Sequence, residues 1–224
     1  KLSEHKQFLA IDTPLPNRAT VGGILATGMS SSLKWQYGNP RDTVIGMKVA
    51  HPDGKITKSG GQVVKNVSGY DMSRLHIGGL GTLGIITEVS LKLTPLPTSE
   101  TTLIATFRDA EPCINSSLGI FHSDIIPLAI TTFNNLANTR TQATSLSGNW
   151  FLAIRLGGRS KYLERQLQEC KLICKNHHPS EIEISETTNS ISTWRKLNDF
   201  GWDEKTTPTV GIRISVTPSA VAEM

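Results

Sequence analysis

The residues best suited to chemistry stand near the start of the chain, where Ala19–Gly28 reads ATVGGILATG. Gly22 and Gly23 carry no β-carbon, so successive backbone N–H groups can converge closely on an anion. Thr20 and Thr27 flank them as hydroxyl donors. The segment suits a glycine-rich loop that cradles phosphate without a helix. The plainer alternative is that both glycines only make turns.

A second glycine run, Gly79-Leu80-Gly81-Thr82-Leu83-Gly84, matches G-x-G-x-x-G. That fingerprint works only between a strand and a helix, whose N-terminus then meets a pyrophosphate. Here the glycines lead into Ile85–Leu93, which alternates like a strand, so the dinucleotide reading is rejected. Cys170, Cys174, His177 and His178 are spaced to meet near one helix, and zinc accepts such ligands. The two cysteines also continue the apolar stripe of Leu163 and Leu167, so the reading adopted is core packing and no metal site. His122 with Asp124 could form an acid–base pair, but a histidine at a helix end is more often a cap. Neither G-x-S-x-G nor a Walker lysine motif is present.

Composition narrows the field further. The chain has 224 residues, 38% hydrophobic and 6% aromatic, with a formal net charge of +4. Its lysines and arginines are scattered, which argues against nucleic acid as a partner and suits an anionic ligand equally well. No apolar run is long enough to span a bilayer. Residues Lys1–Ala10 lack the apolar core of a secretory signal, and three cysteines make an odd, sparse set. A reducing, cytoplasmic setting is expected, and the two glycosylation sequons, at Asn66 and Asn115, are taken as chance. The chain opens on lysine and stops mid-pattern, which reads as a fragment cut at both ends.

A composition shift at Thr94–Ser99, with Pro95 and Pro97 as a stiff connector, divides residues 1–97 from 98–224. In the first part, Thr43–Ala50 reads as a strand and His51–Lys55 as a hairpin turn with Asp53-Gly54 at its tip. Ile85–Leu93 reads as a half-buried strand with Ile85, Thr87, Val89, Leu91 and Leu93 on one face. In the second part, strands are expected at Thr101–Phe107, Leu128–Phe133, Trp150–Leu156, Glu181–Ser185 and Thr209–Val216. Helices are expected at Glu111–His122, Ser160–Lys175 and Ile191–Phe200. That order predicts an α+β class with a ferredoxin-like antiparallel sheet and helices on one face.

Four ordered blocks carry a family likeness: Ala19–Gly28, Tyr37–Asp42 (YGNPRD), Gly60–Asp71 (GGQVVKNVSGYD) and Gly78–Pro97. Residues 10–97 resemble the FAD-binding domain of the vanillyl-alcohol-oxidase and p-cresol-methylhydroxylase superfamily. Within it, K-N-V-x-G-Y-D is most similar to the E-type FAD-binding chains of bacterial glycolate oxidases. The resemblance implies the second half of such a domain followed by a ferredoxin-like substrate-side cap, truncated, in which Trp194-Arg195 matches a pair seen in such caps. It implies noncovalent FAD. Thr20, Val21, Gly22 and Gly23, with the stretch to Thr27, would wrap the pyrophosphate and ribityl chain. Tyr37 and Gly38 would lie along the cofactor, with Asp42 bracing their loop. Ile86, after Gly84, would offer its backbone to the adenine. Lys65 and Tyr70 would face the flavin, where a positive charge stabilises the reduced anion. The alternatives are a solvated lysine at position 65 and a core-packed tyrosine with a hydrogen-bonded tip at position 70.

Departures from the pattern matter as well. Gly79-Leu80 stands where relatives carry Ser-Glu or Ser-Leu, which removes one hydroxyl donor and favours the E type. The family's first half-domain would precede Lys1, and with it any histidine covalently attached to flavin. The C-terminal histidine cluster of catalytic sister subunits has no counterpart here. The function implied is oxidation of a small 2-hydroxy acid, glycolate or D-lactate in type, within a multi-subunit complex that could lie peripherally at a membrane. The rivals are a non-catalytic electron-relay role and a nucleotide-binding module without redox chemistry. No residue presents itself as the catalytic base.

Overall fold

The computed structural model describes residues 1–62, 70–202, 210–212, 214–217 and 220–221. Two compact units form, Lys1–Leu96 and Pro97–Met224. Among the described residues, no helix is long and apolar enough to cross a membrane.

The first unit begins with a short strand β1 (Gln7–Phe8), then three short helices: α1 (Val21–Thr27), α2 (Lys34–Tyr37) and α3 (Pro40–Thr43). Strands β2 (Val44–Ala50) and β3 (Ile56–Gly60) form an antiparallel hairpin. Its turn is closed by His51 N–H donating to Lys55 O at 2.8 Å, with Gly54 at φ +82°. A single-turn helix α4 (Ser73–His76) precedes β4 (Ile85–Leu91), and β5 (Thr94–Pro95) pairs back on β1. Among the described residues the sheet order is β3-β2-β4, which puts β4 at an edge. Its core is small: Leu25, Met47 and Val49, with Val44, Ile77, Ile86 and Val89 packed against them.

The expected alternation of β4 does not hold. Glu88 pairs with Lys48 but Ile86 pairs with Val49, so Thr87 is an extra residue opposite no partner. A bulge of this kind switches which parity faces inward. Ile86 therefore packs inward together with Val89, while Ile85 is turned out and 72% exposed.

The second unit runs β6 (Ser99–Phe107), α5 (Ala110–Phe121), β7 (Ala129–Asn134), α6 (Asn135–Thr141), β8 (Trp150–Gly158), α7 (Ser160–Lys175), β9 (Glu181–Glu186) and α8 (Thr187–Asp199). The strands pair antiparallel in the order β7-β8-β6-β9. That is the βαββαβ ferredoxin-like arrangement, with the first and third strands central.

The expectation of helices on one face requires correction, because both faces are covered. Leu103, Ala105 and Phe107 of β6 join Leu152, Ile154 and Leu156 of β8 beneath α5 and α7. The alternate residues Ile104, Phe151 and Ala153 pack with Phe133 and Trp194 on the opposite face, beneath α6 and α8. Burial on both sides is why β6 reads as an almost continuous buried run, TTLIATF. Thr101 and Thr102 find partners inside, with Thr101 Oγ1 donating to Ser185 O at 3.1 Å, whereas Thr106 Oγ1 is buried with no hydrogen-bond partner among the described residues. Trp194 Nε1 donates to Thr102 Oγ1 at 2.8 Å, and Thr102 Oγ1 meets Ser190 Oγ at 2.7 Å.

The expected last strand, Thr209–Val216, is not formed in its described residues, and Thr209 and Arg213 lie outside them. Val210, Ile212, Ile214 and Val216 alternate as a strand should, yet all four are exposed. Alternation supplies a side-chain pattern, but a strand also needs a neighbour for its backbone ladder.

Candidate cofactor site

Gly22 and Gly23 lie in the first turn of α1, not in a helix-free loop. Thr20, in an extended conformation, is the N-cap, and its Oγ1 accepts the Gly23 N–H at 3.1 Å. Gly28, at φ +61°, ends the helix by donating its N–H to Ile24 O and Leu25 O. A threonine start and a glycine stop are helix boundary signals. Here they outweigh the poor helix propensity of two interior glycines. The N–H groups of Val21 and Gly22 lie too early in the helix to have an intrahelical acceptor. Val21 and Gly23 are exposed, so this end of the helix is open to an anion. Thr27 is differently engaged, since its hydroxyl donates back to Gly23 O and Ile24 O, both at 3.0 Å.

The edge strand comes up against this turn. A β-carbon on Gly22 would lie 3.5 Å from Ile86 O and 3.9 Å from Ile86 Cβ. Ile86 packs its side chain against the small core and leaves its backbone carbonyl beside Gly22. Gly84, just before the strand, has φ +149°, and a β-carbon there would fall 2.6 Å from Val49 Cγ1 and 2.8 Å from Ala50 O. Only glycine fits that position.

The G-x-G-x-x-G run has α4 before it and β4 after it, the reverse of a dinucleotide fold. It docks on the wrong end of α1 for phosphate. Gly78 N–H donates to Leu25 O at 3.0 Å and Leu80 N–H to Ala26 O at 2.8 Å. These bonds satisfy carbonyls at the C-terminal, electronegative end of the helix.

Tyr37 closes α2, with its ring edge-on to Phe8 at 5.5 Å between centroids. Gly38 has φ +83°, and a β-carbon there would lie 2.8 Å from Asp42 Oδ2. That same Oδ2 accepts the Asn39 N–H at 2.7 Å in a capping box, so Asp42 fixes the turn after Tyr37. Because α3 packs on α1, this turn and the Thr20–Gly23 turn belong to one neighbourhood. Lys65 lies outside the described residues. Tyr70 is 93% exposed, so the core-packed alternative for it fails.

Sequence reasoning missed one feature of this unit. His51 and His76, on different elements, face each other at 5.9 Å between ring centroids beside a cavity of about 210 Å³. Burial holds the His76 pKa below its ordinary value, and the nearby His51 lowers it further. No sequence signal links two histidines on a strand end and a distant helix. The other constellations resolve into structure. Cys113, Cys170 and Cys174 are buried under the sheet, and burial pushes each thiol up to about 12. His122 is the C-cap of α5. Among the described residues, no group of three or more His, Cys, Asp or Glu side chains could hold a metal ion.

Residues 1–60 match the family model described as FAD binding domain. These residues belong to an FAD binding domain. The fold of the chain agrees with that of alkyldihydroxyacetonephosphate synthase, at a TM-score of 0.67 and 18% identity, over 88% of this chain and 42% of that one. The chain is also 31% identical to the mitochondrial D-lactate dehydrogenase [cytochrome] of Arabidopsis thaliana, over 90% of this chain and 36% of the relative. It is 29% identical to glycolate oxidase subunit GlcD of Bacillus subtilis (strain 168), over 75% of this chain and 37% of the relative. Identity to glycolate oxidase subunit GlcE of Escherichia coli (strain K12) is 42%, over 43% of this chain and 28% of the relative. The chain thus spans well under half the length of each of these relatives.

The residues of the FAD binding domain fit its cofactor. The open first turn of α1 presents N–H groups suited to a pyrophosphate, and the absent side chain of Gly22 lets that turn approach the Ile86 backbone closely.

Proposed function

We propose that this FAD binding domain, with the ferredoxin-like unit as a substrate-side cap, serves the oxidation of a small 2-hydroxy acid of the glycolate or D-lactate type. The reading rests on the close approach of Gly22 to the Ile86 backbone at the open end of α1, in a chain whose relatives carry glycolate oxidase and D-lactate dehydrogenase names. In it, Val21 and Gly22 donate their N–H groups to the FAD pyrophosphate and Ile86 pairs its backbone with the adenine. Thr20 contributes by fixing the first turn. Tyr37 and Gly38 line the cofactor on the turn that Asp42 braces, with Lys65 and Tyr70 on the flavin side. Bound FAD supplies the hydride-accepting chemistry, and the protein contributes binding, orientation and electrostatics.

The 42% identity to GlcE favours a second reading, in which the protein is one component of a glycolate oxidase-like complex and relays electrons without itself oxidising substrate. A cytoplasmic setting, peripheral at a membrane through partner subunits, belongs to that reading. Assay of the purified full-length protein alone, with an artificial electron acceptor, separates the two. Turnover of glycolate or D-lactate with a bound-flavin spectrum supports the catalytic reading. A flavin spectrum without turnover supports the relay. A colourless protein that takes up no FAD overturns both.

A further inference from the structure

The ferredoxin-like unit carries a polar cleft of about 490 Å³ between the α6–β8 connector, β9 and α8. One wall of the cleft is fixed. The carbonyls of three successive connector residues each accept a side-chain hydrogen bond: Gln142 O from Lys196 Nζ at 2.7 Å, Ala143 O from Thr193 Oγ1 at 3.1 Å, and Thr144 O from Asn138 Nδ2 at 3.2 Å. Asn138 Oδ1 in turn accepts the Thr144 N–H at 3.1 Å. Carbonyls held in this way keep the connector in one conformation, which is what a preorganised site requires.

Two opposite charges border this wall. The Lys196 ammonium, on α8, is anchored at Gln142. The Glu183 carboxylate, on β9, accepts from Thr144 Oγ1 at 3.0 Å. Gln142 and Thr144 are two positions apart, so the Cα atoms of the two anchoring residues are separated by at most about 7 Å. Each charged group uses one hydrogen bond on the connector and keeps others to offer, since an ammonium has three donors and a carboxylate about four acceptor sites. Ser185 and Ser192 also line the cleft.

We propose that this cleft binds a small zwitterion of the 2-amino acid class, its carboxylate on Lys196 and its ammonium on Glu183. The two protein charges sum to zero, so a ligand carrying one charge of each sign satisfies both. A 2-hydroxy acid carries only the negative charge, and would leave the Glu183 carboxylate facing a hydroxyl with its charge uncompensated. The cleft therefore selects against the substrate class proposed for the flavin site, and its ligand is an effector or a separate cargo. The inference does not depend on the flavin reading.

Calorimetric titration of the full chain with the common amino acids and with glycolate, up to about 10 mM, tests it. Saturable binding of at least one amino acid is expected, with glycolate weaker by about tenfold or more. Lys196→Met and Glu183→Gln should each weaken that amino acid by about tenfold or more, because each removes a charge-assisted contact. Ser192→Trp fills the cleft from an exposed position and should abolish binding while circular dichroism is unchanged, which keeps the test open if a charge variant misfolds. Three results would overturn the inference: no saturable amino acid, glycolate binding as tightly as any amino acid, or unaltered binding by folded Ser192→Trp. Flavin content, read from the visible spectrum of the same samples, distinguishes failure here from failure at the cofactor site.

Discussion

The backbone oxygen of Ile86 lies 3.5 Å from the point where Gly22 would carry a β-carbon, so the first turn of α1 and the edge strand β4 meet with nothing between them. A contact of 3.5 Å is ordinary packing, so Gly22→Ala should leave the fold intact while occupying the space beside the Ile86 backbone. In the full-length protein we expect FAD affinity to fall about tenfold or more, or ~1.4 kcal/mol, with an unchanged circular dichroism spectrum. Flavin titration measures it, and wild-type affinity in the variant would remove Gly22 from the cofactor site.

Gly28 and Gly78 form a closer and purely structural contact. A β-carbon at Gly28 would sit 2.9 Å from Gly78 Cα, on a backbone at φ +61°. Gly28→Ala should destabilise by about 2–4 kcal/mol, combining left-handed strain with displacement of the Gly78 loop. Gly54 has φ +82° and open space around it, so Gly54→Ala should cost only about 1 kcal/mol. Denaturant melts that ranked the two alike would refute the contact.

Glu100 and Arg155 link β6 to β8 through Oε2, which accepts from Arg155 Nε at 2.9 Å and from Nη2 at 2.8 Å. Their side chains are only 13% and 12% exposed. Glu100→Ala leaves a poorly solvated guanidinium and should cost about 2–4 kcal/mol. The Glu100→Ala, Arg155→Met double variant should lose less than the two single losses summed, because no lone charge remains. An additive double-mutant cycle would show that the pair does not couple.

His76 gives stability a pH dependence of definite sign. Its folded-state pKa lies below the ordinary 6.5, first through burial and then through His51. Below that ordinary value the unfolded chain binds a proton that the folded state resists, so stability falls as the pH drops through about 6.5. His76→Leu should flatten the stability profile between about pH 7 and pH 5. An unchanged slope in urea melts across that range would assign the dependence to other groups.

The three cysteines should be inert in the folded protein. With thiols pushed up to about 12 and packed beneath the sheet, Cys113, Cys170 and Cys174 carry almost no thiolate at neutral pH. Alkylation counted by mass spectrometry should show no modification under native conditions and three additions in denaturant. Rapid native labelling of any one would contradict its burial.

Much of this protein is determined locally, and local features are legible in the sequence. The βαββαβ order, the Asp53-Gly54 turn and the apolar stripe of α7 each follow from residues that are neighbours in the chain. The G-x-G-x-x-G run could likewise be rejected from the strand pattern that follows it. Even α1 was readable from its Thr20 start and Gly28 stop, signals obscured by the two glycines between them. Other features depend on residues far apart in the chain. The bulge at Thr87 turns Ile86 inward because β2 pairs with it out of step, and pairing register is not written in either strand alone. Helices on the second face of the sheet, the meeting of Gly22 with Ile86, and the facing of His51 and His76 arise only when distant segments pack. Spacing along the chain constrains neighbours within a few residues; contacts between distant segments are selected by burial and backbone pairing, which only the folded structure reveals.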